Sequence, residues 1–282
     1  MPAPPNVPVS ENDPEARTVL DILGRSEAGL TPAALAARIV RERGLDRRAA
    51  KERIRRLICS GLLAYADRHG RTVIEISRQR PVVLSRRVIV APPGFATPER
   101  PDGVVVRLRH GPAFGDGGHP TTRLSVRALD RLLAEMVDSG YPSLRTALDI
   151  GAGSGILALT ALALGVRRAI ALDIDALARA ETVANARLNG MDARLVVSGD
   201  GLETLAPPVD LILANLRPPT LRRLLPDMRR LAAPGAGLVL SGFRDEEAED
   251  LFETAESTGL VPIRDAREGR WAAGTFRFGD SS

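Results

Sequence analysis

The stretch Asp149-Ile150-Gly151-Ala152-Gly153-Ser154-Gly155-Ile156 constrains the fold more than any other part of the chain. It follows the apolar run Thr146-Ala147-Leu148 and opens a segment, Ile156 to Leu164, that reads as a helix. A strand, a glycine turn and a helix in that order predict a nucleotide-type cofactor site. Glycines at 151, 153 and 155 let the backbone turn tightly and approach a ligand closely. The helix start offers unpaired N–H groups to a ligand carboxylate. Asp173 closes a second apolar run, Ala169 to Leu172, and lies 22 residues past the first glycine. That is close to the roughly 20 expected of an acid that binds ribose hydroxyls. The spacing is D-x-G-x-G-x-G rather than the G-x-G-x-x-G of dinucleotide folds.

The rest of the chain suits an α/β enzyme with a small additional domain. Its 282 residues are enough for one or two domains, and 44% are hydrophobic, which is ample for a core. A single cysteine, Cys59, excludes a disulfide framework and a cysteine-cluster metal site. His69 and His110 show no ligand spacing with it, so no metal is expected. No long uncharged apolar stretch suggests a membrane span. Met1 to Ser10 lack the regions of a signal peptide, and their proline content predicts a disordered tail. The chain reads as cytoplasmic. One lysine, Lys51, stands against 38 arginines, most simply a coding bias.

Residues 11–80 read as three helices and a hairpin, a winged helix-turn-helix pattern. Asp13-Pro14 and Thr31-Pro32 start two helices, and Asp46 caps a third that ends near Gly61. Leu62 to Ala66 and Thr72 to Ile76 flank a turn at Arg68-His69-Gly70. Arg41 to Arg56 hold eight basic and three acidic residues, while the net charge of the whole chain is +4. Helix 46–60 therefore suits nucleic acid, though it equally suits protein docking or pairing of subunits in a homodimer. Residues 81–122 form a link: strands near 87–90 and 104–108, then the glycine-rich run Gly111 to Thr122, too irregular for regular structure. From 123 to 282 strands and helices alternate. Strands are expected at 146–150, 169–173, 194–198, 209–214, 237–241, 260–264 and 272–278. This predicts a doubly wound, Rossmann-like, largely parallel sheet.

From about Pro81 to Phe278 the chain resembles the ribosomal large-subunit protein methyltransferase family of the PrmA type, among the class I S-adenosylmethionine methyltransferases. The resemblance is carried by Ala113-Phe114-Gly115 with Gly117 and His119 to Thr122, by Leu148 to Ala158, and by Asp173-Ile174-Asp175. Asn185-Ala186 with Asn189-Gly190, Asp210 to Leu216, Pro234-Gly235 and Leu240-Ser241-Gly242 extend it. The departures are Asp116, where the family usually has Thr, the continuation Arg217-Pro218-Pro219, and the N-terminal domain.

The resemblance implies S-adenosyl-L-methionine as cofactor. It implies that Phe114, Thr121, Asp149, Gly151, Gly153, Gly155, Asp173, Ile174, Asp200 and Asn215 line its site. Asp200 lies beside the adenine amino group or merely in a surface turn. Methyl transfer from a sulfonium needs mainly positioning, which can supply on the order of 7–11 kcal/mol. Asn215, at the carboxyl end of its strand, is the expected catalytic group, its carbonyl aiming an acceptor amine. His119 is either a general base or a structural loop residue. Trp271 is expected in the core. The leading expectation is an N-methyltransferase acting on a protein amino group, of lysine or a similar side chain. The alternatives are methylation of a small metabolite or natural-product peptide, and a nucleic-acid-binding regulator or methyltransferase.

Overall fold

A computed structural model describes residues 13–26, 29–68, 70–77, 81–95, 97, 100–109, 111, 113–141, 144–206 and 208–279. The expectations for Met1 to Ser10, His69 and His110 lie outside the described residues, as does the Cys59 side chain. The chain divides into two compact units, residues 1–80 with 95–97, and residues 81–94 with 98–282.

In the first unit, three helices precede a hairpin. They are α1 (Pro14–Gly24), α2 (Pro32–Arg43) and α3 (Arg47–Cys59). The hairpin pairs β1 (Leu63–Arg68) with β2 (Arg71–Ile76) in antiparallel register. Local chemistry sets the helix ends. Thr31 Oγ1 accepts the Ala34 N–H at 3.3 Å, with Pro32 in the first turn. Gly44 ends α2 with φ +64°, a left-handed conformation that suits glycine. Asp46 Oδ1 accepts the Arg48 and Ala49 amides at 2.7 and 2.8 Å and starts α3. Val19, Ile22, Leu35, Ile39, Ile54, Leu57 and Ile74 fill the core, and Leu30 bridges to Ile74 beside the hairpin.

The second unit is built on a seven-stranded sheet. Its strands are β6 (Thr146–Ile150), β7 (Arg168–Leu172), β8 (Leu195–Ser198), β9 (Val209–Asn215), β10 (Ala232–Arg244), β11 (Leu260–Glu268) and β12 (Trp271–Phe278). They lie in the order β11-β12-β10-β9-β6-β7-β8. All pairings are parallel except those of β12, which runs antiparallel to β10 and β11. A small sheet of β3 (Val82–Val83), β4 (Val88–Ala91) and β5 (Val104–Arg107) precedes it.

Both faces of the large sheet are covered, which explains the unbroken apolar run Leu211 to Ala214 in β9. Leu211 and Leu213 face a core shared with the small sheet, α4 (Pro120–Asp138), α5 (Ile156–Ala163) and α6 (Ala176–Leu188). Ile212 and Ala214 face the opposite core, with α7 (Pro218–Leu231) and α8 (Ala248–Ser257). This is a doubly wound α/β fold. The chain runs outward through β6, β7 and β8, then crosses back to β9 on the other side of β6. The order reverses there, which makes the carboxyl ends of β6 and β9 the switch point, where sheets of this kind open a crevice.

Three details differ from the sequence reading. The small sheet gains β3, only two residues long and so without periodicity. β10 extends from Ala232 to Arg244, with Pro234-Gly235 absorbed as an irregularity where its pairing with β9 shifts between Ala232 and Gly237. Helix α4 begins at Pro120, so Thr121 and Thr122 are helical rather than part of the preceding loop. His119 caps it, and histidine is not among the residues that usually signal a helix start. Among the described residues no helix is long and apolar enough to cross a membrane. No group of three or more His, Cys, Asp or Glu there could hold a metal ion.

Candidate active site

The glycine turn joins β6 to α5 at the crevice. Gly151, Gly153 and Gly155 all have positive φ, at +73°, +56° and +81°. The Gly151 and Ala152 amides donate to the Leu172 carbonyl at 2.8 and 3.0 Å, tying the turn to β7. A side chain at Gly153 would collide with the Phe114 carbonyl, and one at Gly151 with Leu216. The second clash links the turn to the end of β9.

The loop before α4 docks directly on this turn. The Ser154 amide donates to Phe114 O at 2.9 Å, and Ser154 Oγ to Gly115 O at 2.7 Å. Helix α6 holds the other side. Thr182 Oγ1 donates to Gly153 O at 2.8 Å, and Asn185 Nδ2 to Ser154 O at 2.9 Å. Asn185 Oδ1 also accepts the Arg109 amide at 2.9 Å, while Asn189 bonds both backbone groups of Arg107. Sequence reasoning found these asparagines only as motif matches. Their signal was present: a buried helical asparagine must satisfy both ends of its amide.

Asp149, the penultimate residue of β6, is almost wholly buried, 1% exposed. Its Oδ2 accepts the Ala158 amide in the first turn of α5 at 2.9 Å, but its buried Oδ1 has no hydrogen-bond partner. Burial pushes its pKa up to about 7, and the nearby Asp173 charge adds to this, while the Ala158 bond opposes it. On the adjacent strand, Asn215 Oδ1 is also buried without a partner. Two unpartnered acceptors thus flank the switch point. Few buried polar atoms are left this way in a folded protein.

Asp173 follows β7. Its Oδ2 accepts the Gly153 amide at 2.9 Å and its Oδ1 the Asp175 amide at 2.9 Å. The carboxylate braces the turn, and its four lone-pair sites leave acceptor capacity for hydroxyls. Ile174, next in the chain, is 96% exposed. Asp200 lies beyond β8, neighbour of β7, and its Oδ2 accepts a bond from Ser198 Oγ at 2.6 Å. The turn is exposed, at the carboxyl end of the edge strand β8.

His119 stands between two aromatic rings, edge-on to Phe114 at 5.2 Å and to Trp271 at 4.8 Å between centroids. Its Nδ1 accepts the Thr121 amide at 3.3 Å and lies 2.8 Å from Thr121 Oγ1. Desolvation, then the Arg123 charge, lowers its pKa, against a raising effect of Asp116. The imidazole is therefore neutral near pH 7, and an accepting Nδ1 leaves the proton on Nε2. Thr121 is buried beneath it, whereas Phe114 is 54% exposed. Trp271, expected in the core, is half-buried and starts β12 beside this cluster. Asp116 is exposed, and its carboxylate accepts the Gly118 amide at 2.8 Å within its own turn. Arg217-Pro218 starts α7, which fixes the short exit from Asn215.

The structure thus brings together the glycine turn, Asp149, Asp173, Phe114, His119 and Asn215, with Thr121 buried beneath His119. A profile of the family described as ribosomal protein L11 methyltransferase (PrmA) matches residues 75–278. The chain belongs to that family. Its relatives include a ribosomal protein L11 methyltransferase of Pelobacter propionicus, 38% identical over 201 residues, covering 70% of this chain and 63% of that protein. One of Gloeobacter violaceus is 34% identical over 199 residues, covering 71% and 60% respectively. The chain therefore spans less than two thirds of the length of these relatives. A solved ribosomal protein L11 methylase from Lactobacillus delbrueckii subsp. bulgaricus superimposes with a TM-score of 0.63 at 26% identity. It covers 71% of this chain and 99% of the solved one.

Proposed function

We propose that this chain transfers a methyl group from S-adenosyl-L-methionine to an amino group of a protein, with ribosomal protein L11 as the first substrate to test. The carrying observation is the pair of buried, unpartnered acceptors, Asp149 Oδ1 and Asn215 Oδ1, on either side of the switch point. Both fit a ligand rich in N–H donors, and the family consists of methyltransferases. When bound, the cofactor supplies a methyl group on a positively charged sulfur, already activated towards an amine.

The chain's own residues bind and orient. The amides at the start of α5 suit a carboxylate, and Asp149 suits the neighbouring ammonium. Asp173 accepts ribose hydroxyls, and Ile174 offers an apolar face to adenine with Asp200 at its rim. Asn215 accepts an N–H of the acceptor amine and aims its lone pair. Asn215 carries no titratable group, so the amine's proton leaves to solvent. His119 positions rather than abstracts: its Nδ1 holds the start of α4, and its Nε2–H is a donor. With Phe114 and Trp271 it walls the approach to Asn215.

This reading implies a cytoplasmic setting and leaves the first unit as a separate partner-binding module. Labelled methyl groups should pass from the cofactor into a protease-sensitive band of a lysate, and into purified L11. Label confined to small molecules or to nuclease-sensitive material would overturn the protein substrate while sparing the cofactor site.

A further inference from the structure

The family match begins at residue 75, so it leaves α1, α2, α3 and most of the hairpin without a role. Within them, α2 and α3 are joined by a three-residue turn, Gly44-Leu45-Asp46. A short glycine-containing turn between two packed helices is the kind of connection that helix-turn-helix motifs use. Helix α3 buries Ala50, Ile54 and Leu57, one stripe at helical spacing, against α1, α2 and the hairpin. Its other side carries charge. Arg47, Arg48 and Lys51 are exposed in the first turns of α3, and Arg41 and Arg43 are exposed at the end of α2. No acidic partner is seen for these five among the described residues. The acids between them are mostly engaged: Asp46 by the α3 amides, and Glu52 by Arg55 at 3.3 Å.

We propose that this unit binds double-helical DNA, with the amino-terminal half of α3 in the major groove. Two observations support it. The cations sit on the first turns of the second helix of the pair, the part that contacts bases in such motifs. The surplus positive charge is concentrated there, complementary to a line of phosphates. A B-form major groove admits a helix, whereas the deep, narrow major groove of an RNA duplex does not. The partner is thus DNA rather than double-stranded RNA.

Fluorescence anisotropy of a labelled DNA duplex of random sequence, titrated with the full chain, tests this. Binding is expected at about 50 mM salt and should weaken steeply towards about 200 mM. The triple variant Arg47→Ala, Arg48→Ala, Lys51→Ala should bind at least about tenfold more weakly. It should also flatten the slope of log K against log salt by about 2.7, since each lost phosphate contact contributes about 0.9. An unchanged melting temperature and unchanged methyl transfer would establish that the variant is folded. A second variant, Arg222→Ala, removes a cation of the other unit and should leave binding unchanged. Absence of salt-dependent binding by the parent would overturn the proposal. So would equal binding by the triple variant, preference for an RNA duplex of the same sequence, or self-association as the only property lost.

Discussion

The two ends of the central sheet treat their carboxylates in opposite ways. Asp210, near the amino end of β9, is fully engaged: it accepts the Arg145 and Thr146 amides at 2.9 and 2.8 Å and the Tyr141 hydroxyl at 3.3 Å. Asp149, at the carboxyl end of β6 next door, has one amide partner and one empty, buried oxygen. Asp210 joins the segment before β6 to β9 and does nothing else that the geometry requires. Asp149 is held in an expensive state, with its carboxyl group pushed up to about 7 by burial. Open α/β sheets build sites at the carboxyl ends of their strands, and the difference in partner count between Asp210 and Asp149 is what supports the binding role proposed for Asp149.

The largest effect expected at the carboxyl end is on rate. Asn215→Ala should lower methyl transfer by about 10²-fold or more, as the loss of acceptor alignment implies. Cofactor affinity measured by calorimetry should move only a few-fold. A normal rate would remove Asn215 from the mechanism. Gly153→Ala comes next. It puts a side chain at φ +56° against the Phe114 carbonyl, so the loop before α4 must shift. A loss of about 1–3 kcal/mol in stability is expected, with weaker cofactor binding. An unchanged melt and unchanged affinity together would show that the turn is not held as described.

Asp149→Asn sharpens the contrast through pH. The folded pKa of Asp149 is raised to about 7 from 3.8. The folded state therefore holds this proton more tightly than the unfolded state does. Stability from this group is present below about pH 4 and is lost as pH rises through about 7. The asparagine variant should escape that loss and melt higher than the parent at pH 8 without ligand. A parent and variant with parallel stability curves from pH 4 to 8 would contradict the shift. The smallest functional effect belongs to the other end. Asp210→Ala should cost about 1–3 kcal/mol, from amides left unpaired, with cofactor affinity unchanged. Tyr141, whose pKa is pushed up to about 12 by burial and then by Asp210, should titrate nearer its ordinary value in that variant.

Much of the carboxyl end was legible in the sequence because its signals are local. Asp149, the three glycines, Asp173 and the strand ending at Asn215 each follow from runs of fewer than ten residues, and their spacing orders them on one sheet edge. The amino end was not legible. The partners of Asp210 lie 64 to 69 residues away, with α5, β7, α6 and β8 in between. The same holds for Asn185 and Asn189, which reach back 76 and 82 residues to the segment around β5. His119 was ambiguous for another reason. Its chemistry allows a base or a loop residue, and the bond of Nδ1 to the start of α4, which supports the positioning role proposed for it, shows only in the fold. Trp271 read as core because nothing in sequence places β12 beside that loop.

In the proposed function, Asp149 Oδ1 is left unpartnered for a donor of the cofactor. Calorimetric titration of S-adenosylhomocysteine into the parent and Asp149→Asn, from pH 5 to 8, tests it most directly. The parent's affinity should rise about tenfold per pH unit up to about 7 and then level, since the ionised carboxylate is the form that binds. The variant should bind more weakly at pH 8, with this rise absent. Equal affinities and the same pH profile in both would show that Asp149 does not bind the cofactor.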